Sequence, residues 1–317
     1  MNKELIRESL EKYLETHGMS QNEFSKHSGV NVGYISNIRQ GKSHLGKSEI
    51  DDKWYRQIAE AIGLSLNKEY WTIKQTDQLL RILATLEDAR KFGSTNVIIG
   101  ETGCGKSYAC DLFQKQYPQD VFIIKLGESD KIGDVLDKTI EALKMPVRPN
   151  VKLEGSSQTA SKSNKIRRII QYLQKLKHDG YSPTVIWDES EYMNIATLCA
   201  VKEFYDHLRQ VCALILIGTD QLTEKLEKLK LKNKPGMPQF YSRIKFGIRE
   251  LKPIDRKFSA FLDDISDRSV KAFIKDNCDN YREVHDLLVP VMREADRLDL
   301  PLSVDLIKQT FGLQTFS

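Results

Sequence analysis

The sequence predicts an α/β protein: a three-layer sandwich around a parallel five-stranded sheet, preceded by an all-α helix-turn-helix domain and followed by a helical lid. Three observations predict it. The run Gly100-Glu101-Thr102-Gly103-Cys104-Gly105-Lys106-Ser107 lies between the apolar stretch Asn96-Val97-Ile98-Ile99 and a helix-like segment, which reads as strand, phosphate loop, helix. A second apolar strand, Thr184-Val185-Ile186-Trp187, runs into the acidic pair Asp188-Glu189. Strand-like and helix-like segments alternate between and beyond these two motifs, the pattern of a parallel sheet covered on both faces.

The chain begins with Leu5, Ile6, Leu10 and Leu14 at helical spacing, stopping at His17-Gly18. Ser20 is placed to cap a short helix holding Phe24. After the turn His27-Ser28-Gly29-Val30, Asn31 is placed to cap another through Val32, Ile35 and Ile38. A last helix, 51–64, puts Trp54, Ile58, Ala59 and Ile62 on one face and closes a small core. This module spans 1–66.

The stretch Met19 to Lys42 resembles the repressor-like helix-turn-helix family. The resemblance implies that the second helix enters the major groove with Asn31, Gly33, Tyr34, Ser36, Asn37 and Arg39, and that Lys42 and Lys47 lie near phosphates. A helical module that binds protein instead is the competing reading, since the fold serves both ends.

The central domain spans 67–252. An amphipathic segment, 76–92, leads into strand candidates at 95–99, 121–125, 184–187, 213–217 and 244–248. In a sheet of this kind the ligand sits at the carboxyl ends of the strands. The glycines of the loop let backbone N–H groups turn toward phosphates. Lys106 reaches the β and γ phosphates and Ser107 offers its hydroxyl to Mg²⁺. Asp188 is the metal partner and Glu189 the base that polarises an attacking water. The cofactors are therefore ATP and Mg²⁺. The binding set is Gly100, Glu101, Thr102, Gly103, Cys104, Gly105, Lys106, Ser107 and the adjoining Tyr108, with Asp188.

Composition narrows the class. With 40% hydrophobic and 29% charged residues, the 317-residue chain belongs with folded globular proteins rather than disordered ones. No apolar run approaches the roughly 18 residues that span a bilayer, so a cytoplasmic protein is expected. The five cysteines are scattered without a Cys-x-x-Cys pair, and neither a disulfide framework nor a zinc site is suggested. Net charge is only +4, but the basic residues cluster. The windows 24–48 and 228–249 contain no acid, and 144–177 contains only Glu154. Such clustering suggests a polyanion partner. A polar insert, 146–164, is either a plain solvent-exposed connection or a DNA-contacting loop. Lys162, Lys165, Arg167 and Arg168 on its far side favour the second.

Further motifs carry a second resemblance. Leu214-Ile215-Leu216-Ile217-Gly218-Thr219-Asp220 puts a hydroxyl at a strand end and looks like the sensor 1 element of AAA+ ATPases. Gln239-Phe240-Tyr241-Ser242-Arg243 stands where that family carries an arginine finger, and Tyr281-Arg282-Glu283-Val284 resembles a sensor 2 segment in the lid, 253–317. The resemblance implies that Thr219 orients the attacking water or feels the γ-phosphate, and that Arg243, with Arg249 as its competitor, acts on a neighbouring subunit's site. It implies that Arg282 touches the γ-phosphate. The order of motifs resembles the MuB-like target-selecting ATPases of transposition, and more distantly the TnsC and IstB groups. That resemblance implies ATP-dependent filaments on double-stranded DNA, a homo-oligomer, and delivery of target DNA to a DDE-type transposase. A helicase loader or replication initiator, and a nucleotide-responsive transcription regulator, are the alternatives.

Overall fold

The computed structural model describes residues 3–46, 48–64, 70–145 and 161–313. The chain divides into two compact units, Met1–Tyr70 and Trp71–Ser317. Lys47 and most of the polar insert, 146–160, lie outside the described residues.

The first unit consists of α1 (Lys3–His17), α2 (Gln21–Ser28), α3 (Val32–Arg39), the short strands β1 (His44–Leu45) and β2 (Ser48–Glu49), and α4 (Asp52–Ala61). Ile6, Leu10 and Leu14, four residues apart, form the buried stripe of α1. Ser20 and Glu23 close a capping box on α2, and Gly29 ends it in the left-handed region at φ 70°. The Asn31 side chain accepts the Gly33 N–H at 2.8 Å and starts α3. Phe24, Val30, Ile35, Ile38, Ile50, Tyr55, Ile58 and Ala59 complete the core. Trp54 and Ile62 are only partly buried, with Trp54 stacked on Tyr34 at 5.0 Å.

The second unit starts with α5 (Asp77–Phe92), capped by Thr76, and alternates onward: β3 (Thr95–Ile99), α6 (Lys106–Gln116), β4 (Val121–Lys125), α7 (Ile132–Ala142), α8 (Lys162–His178), β5 (Thr184–Asp188), α9 (Ile195–Leu208), β6 (Ala213–Gly218), α10 (Asp220–Leu231), α11 (Met237–Ile244) and β7 (Ile248–Glu250). The sheet is parallel, in the order β4-β5-β6-β3-β7.

Alternation along the strands sorts the two covering layers. Val97, Val185, Trp187, Leu214 and Leu216 face α7, α8, α9 and α11, whereas Ile98, Ile186, Ile215 and Ile217 face α5 and α6. The result is a three-layer sandwich. The remaining helices, α12 (Ser259–Leu262), α13 (Arg268–Asn277), α14 (Tyr281–Leu298) and α15 (Val304–Phe311), bury Phe258, Val270, Ile274, Val284 and Leu288 in a core of their own.

Two of the differences from the sequence reading concern candidate site residues. The fifth strand is Ile248–Glu250, not 244–248. Ile244 completes the buried helical stripe Met237, Phe240, Ile244 of α11, so the helix takes the residue with which the strand was expected to begin. Arg249 therefore lies within the strand rather than after it. The polar insert ends at Ser161, which accepts the Asn164 N–H and begins α8, so residues 162–164 are helical.

Candidate functional site

The sheet order places β6 between the phosphate-loop strand β3 and the acidic strand β5. Three carboxyl ends therefore converge. β3 delivers the loop, β5 delivers Asp188 and Glu189, and β6 delivers Thr219. They line a cavity of about 410 Å³, to which Thr102, Gly103, Cys104, Gly105, Lys106, Ser107 and Tyr108 also contribute. Arg282 of α14 lines it as well.

The loop turns through two glycines in the left-handed region, Gly103 at φ 75° and Gly105 at φ 94°. Gly105 is the N-cap of α6, so the helix starts at Lys106 with its first N–H groups directed at the cavity end of the loop. A Cβ on Gly103 would stand 2.2 Å from Asn280 Oδ1, so that glycine serves both the turn and the packing of α14 against it. Lys106 Nζ donates to the carbonyls of Gly100 at 2.7 Å and Glu101 at 2.8 Å. These partners are exchangeable: an ammonium held by neutral carbonyls binds phosphate oxygens more strongly.

Asp188 is buried, and its Oδ2 accepts the Ser107 hydroxyl at 2.6 Å. Its Oδ1 accepts the Glu189 N–H at 3.0 Å. Glu189 itself is exposed and sits at φ 59°, a conformation that costs a non-glycine residue about 1–2 kcal/mol. The strand thus ends by turning one carboxylate into the protein and the next out to the cavity.

A hydroxyl beside a carboxylate, an ammonium held only by neutral carbonyls and a glycine-rich helix start are the groups that Mg²⁺ and a triphosphate require. These residues fit the pair. Ser107 and Asp188 would hold the cation, and Lys106 with the loop N–H groups would hold the phosphates.

Glu101 points away from the cavity. Its Oε2 pairs with Arg256 at 2.7 Å, and its Oε1 accepts the Ile254 N–H at 3.3 Å. Gly100 and Glu101 thus contribute backbone carbonyls and anchorage rather than cavity wall. Burial pushes the Cys104 thiol above its ordinary range, with Lys106 opposing. The site also holds a residue that sequence reasoning missed. Glu191, in the 3₁₀ turn Ser190–Tyr192 after β5, accepts the Thr219 hydroxyl at 3.1 Å. No spacing rule marks it, and only its nearness to Asp188-Glu189 hints at the site.

Arg243 does not line the cavity. Its Nε pairs with Asp206 at 2.6 Å, its Nη1 donates to the Gln239 carbonyl, and its guanidinium lies 5.8 Å from the Tyr205 ring. Burial raises the Asp206 carboxyl, but Arg243 and Lys202 outweigh it and hold the group below its ordinary range. Arg249 Nη1 donates to the carbonyls of Phe246 and Ile248.

The cations assigned to DNA sit in varied surroundings. In the first unit Arg39 forms a two-pronged pair with Glu11, both contacts at 2.7 Å, and Asn37 donates to the His44 carbonyl. Ser36 accepts from Gln40, Tyr34 lies against Trp54, and Asn31 and Lys42 are exposed. On α8, Lys165 pairs with Asp137 at 2.7 Å, Arg168 is partly buried, and Lys162 and Arg167 are exposed. Among the described residues no helix is long and apolar enough to cross a membrane.

Residues 91–226 match the model of the AAA domain family. No curated protein matches. Solved structures similar to it include a point mutant of Thermotoga maritima RuvB, 15% identical with TM-score 0.43 over 79% of this chain and 74% of that one. The Thermotoga maritima RuvB Holliday junction branch migration motor is 15% identical, TM-score 0.41, over 77% and 71%. A DNA replication initiation factor is 13% identical, TM-score 0.43, over 73% and 65%.

Proposed function

We propose that this chain is an ATP hydrolase that assembles on duplex DNA with little sequence preference, as a helical filament or ring, and delivers that DNA to a DDE-type transposase. The observation that carries the hydrolase part is the contact between Ser107 and Asp188, which joins the phosphate loop to the acidic strand end inside one cavity.

Bound Mg²⁺ and ATP supply the phosphoryl group and the charge that shields it. The chain supplies the rest. Lys106 exchanges its carbonyl partners for phosphate oxygens, and the N–H groups at the start of α6 hold the remaining charge. Ser107 and Asp188 would hold the cation. Glu189, turned out at the strand end, takes the proton of the attacking water, and Thr219 fixes that water's direction. Arg282 approaches from the lid. Arg243, away from its own cavity, acts on the neighbouring copy's site after leaving Asp206.

DNA binding rests on the acid-poor windows and on the helix-turn-helix of the first unit. Delivery to a transposase rests on the resemblance in motif order alone. Electron microscopy and sedimentation with random-sequence duplex DNA, in ATP and in ADP, test the reading. Filaments formed with ATP on any sequence are expected. Discrete binding to one palindromic site would point instead to a transcription regulator, and capture of a replicative helicase to a helicase loader.

A further inference from the structure

Glu191 is not explained by the roles assigned so far. Its Oε1 accepts the Thr219 hydroxyl at 3.1 Å, and its backbone carbonyl accepts Lys225 Nζ at 2.7 Å. Its Oε2 is shut from solvent with no hydrogen-bond partner among the described residues. That oxygen packs on the bare Cα of Gly218, where an added Cβ would stand only 2.6 Å away. Burial holds the Lys225 ammonium below its ordinary range while the Glu191 charge opposes the shift.

An unpartnered acceptor in such a place costs about 1–3 kcal/mol, more if charged. A buried acceptor left without a partner calls for a physical explanation, and a role in the site's function is one. The cavity is the same one that Lys106, Ser107, Asp188 and Thr219 line.

We infer that Glu191 is a positioning residue that commits the hydroxyl proton of Thr219. A threonine hydroxyl has one proton and two lone pairs. With that proton donated to Glu191, Thr219 presents only acceptors to the cavity. An acceptor orients a water, which can donate to it, and has nothing to offer an unprotonated phosphate oxygen. Of the two roles open to Thr219, Glu191 therefore selects water orientation over sensing of the terminal phosphate. Lys225 fixes the turn that carries Glu191, so the selection is built into the backbone as well as the side chain. This rests on the hydrolase reading above.

The test uses the full chain with DNA and compares Thr219→Ala, Glu191→Ala, the double variant and Glu191→Gln. Loss of water orientation lowers kcat by about a hundredfold in either single alanine variant. The double variant is expected to be no worse than Thr219→Ala alone, because both substitutions remove one device. Glu191→Gln keeps an acceptor oxygen and is expected within about fivefold of the unsubstituted chain, since a neutral acceptor still takes the proton. Glu191→Met, equal in bulk and lacking the acceptor, replaces the alanine if that variant does not fold. Fluorescent-nucleotide titration gives a readout apart from turnover: the ratio of ATP to ADP affinity should be unchanged in Thr219→Ala.

Three results overturn the inference while leaving the hydrolase reading intact: turnover near the original in Glu191→Ala, losses that multiply in the double variant, or a collapse of the ATP preference in Thr219→Ala. Absence of any ATP turnover in the unsubstituted chain with DNA would sink both.

Discussion

Ser107 Oγ donates to Asp188 Oδ2 across 2.6 Å, linking residues 81 positions apart. Among the described residues neither partner is held by another side chain, so the contact reports how the sheet brings the loop helix and the acidic strand end together.

Lys106→Ala and Glu189→Gln should part binding from turnover. The lysine variant loses about 3 kcal/mol of phosphate interaction, roughly a hundredfold in ATP affinity, and with it assembly on DNA. The glutamate variant keeps ATP and stays assembled, because its backbone turn is preserved while its base is gone. Nucleotide titration and sedimentation check both. Rapid turnover by Glu189→Gln would refute its role.

Arg243→Ala should bind ATP normally and fail to hydrolyse it. Since its guanidinium pairs with Asp206 inside its own subunit, some stability is lost too, about 1 kcal/mol for a half-exposed pair. Mixing it with Lys106→Ala subunits should restore turnover, as each supplies what the other lacks. A mixture no more active than its parts would argue against action between subunits.

Gly103→Ala meets two obstacles, a φ of 75° and the Asn280 side chain. The expected loss is about 1–3 kcal/mol of stability, read as a fall in Tm, with nucleotide binding abolished. Adding Asn280→Ala should recover part of the Tm and none of the binding, because it removes the clash and leaves the strained turn. Full recovery of binding would show that the glycine's conformational freedom is dispensable.

The Glu11–Arg39 pair gives the first unit a pH signature. Its hydrogen bond to Arg39 holds the Glu11 carboxyl below its ordinary value of 4.5. A depressed carboxyl stabilises the fold above its unfolded pKa and loses that contribution as pH falls through the lower folded value. Glu11→Gln should therefore lower stability by about 1 kcal/mol at neutral pH and by progressively less below pH 4.5. Thermal melts across that range decide it; an equal deficit at pH 7 and in strong acid would mean that charge pairing is not the cause.

The motifs and four strands of the sheet were legible because the three central strands, and β4 at one edge, are covered by helices and read as unbroken apolar runs. β7 was not: it has only three residues, and Ile244 just before it belongs to the buried stripe of α11. The pairing of β1 with β2 rests on two-residue exposed strands that leave no periodicity to find. Arg39 read as a groove contact because its partner, Glu11, lies 28 positions away on another helix. Glu191 stayed hidden for a related reason: its meaning comes from Thr219, also 28 positions distant, and not from its neighbours in sequence.

The phosphate loop is tied down on its outer side as well as its inner one. Glu101 grips Arg256 and the Ile254 N–H, Cys104 is buried among the residues of the C-terminal helices, and Asn280 rests on Gly103. A loop fastened this way behaves as a joint. Any shift of a few tenths of an ångström in its backbone must be passed to α14, so the helices beyond it work as a needle on a dial, and mutations far along that needle should alter the reading without touching the cavity.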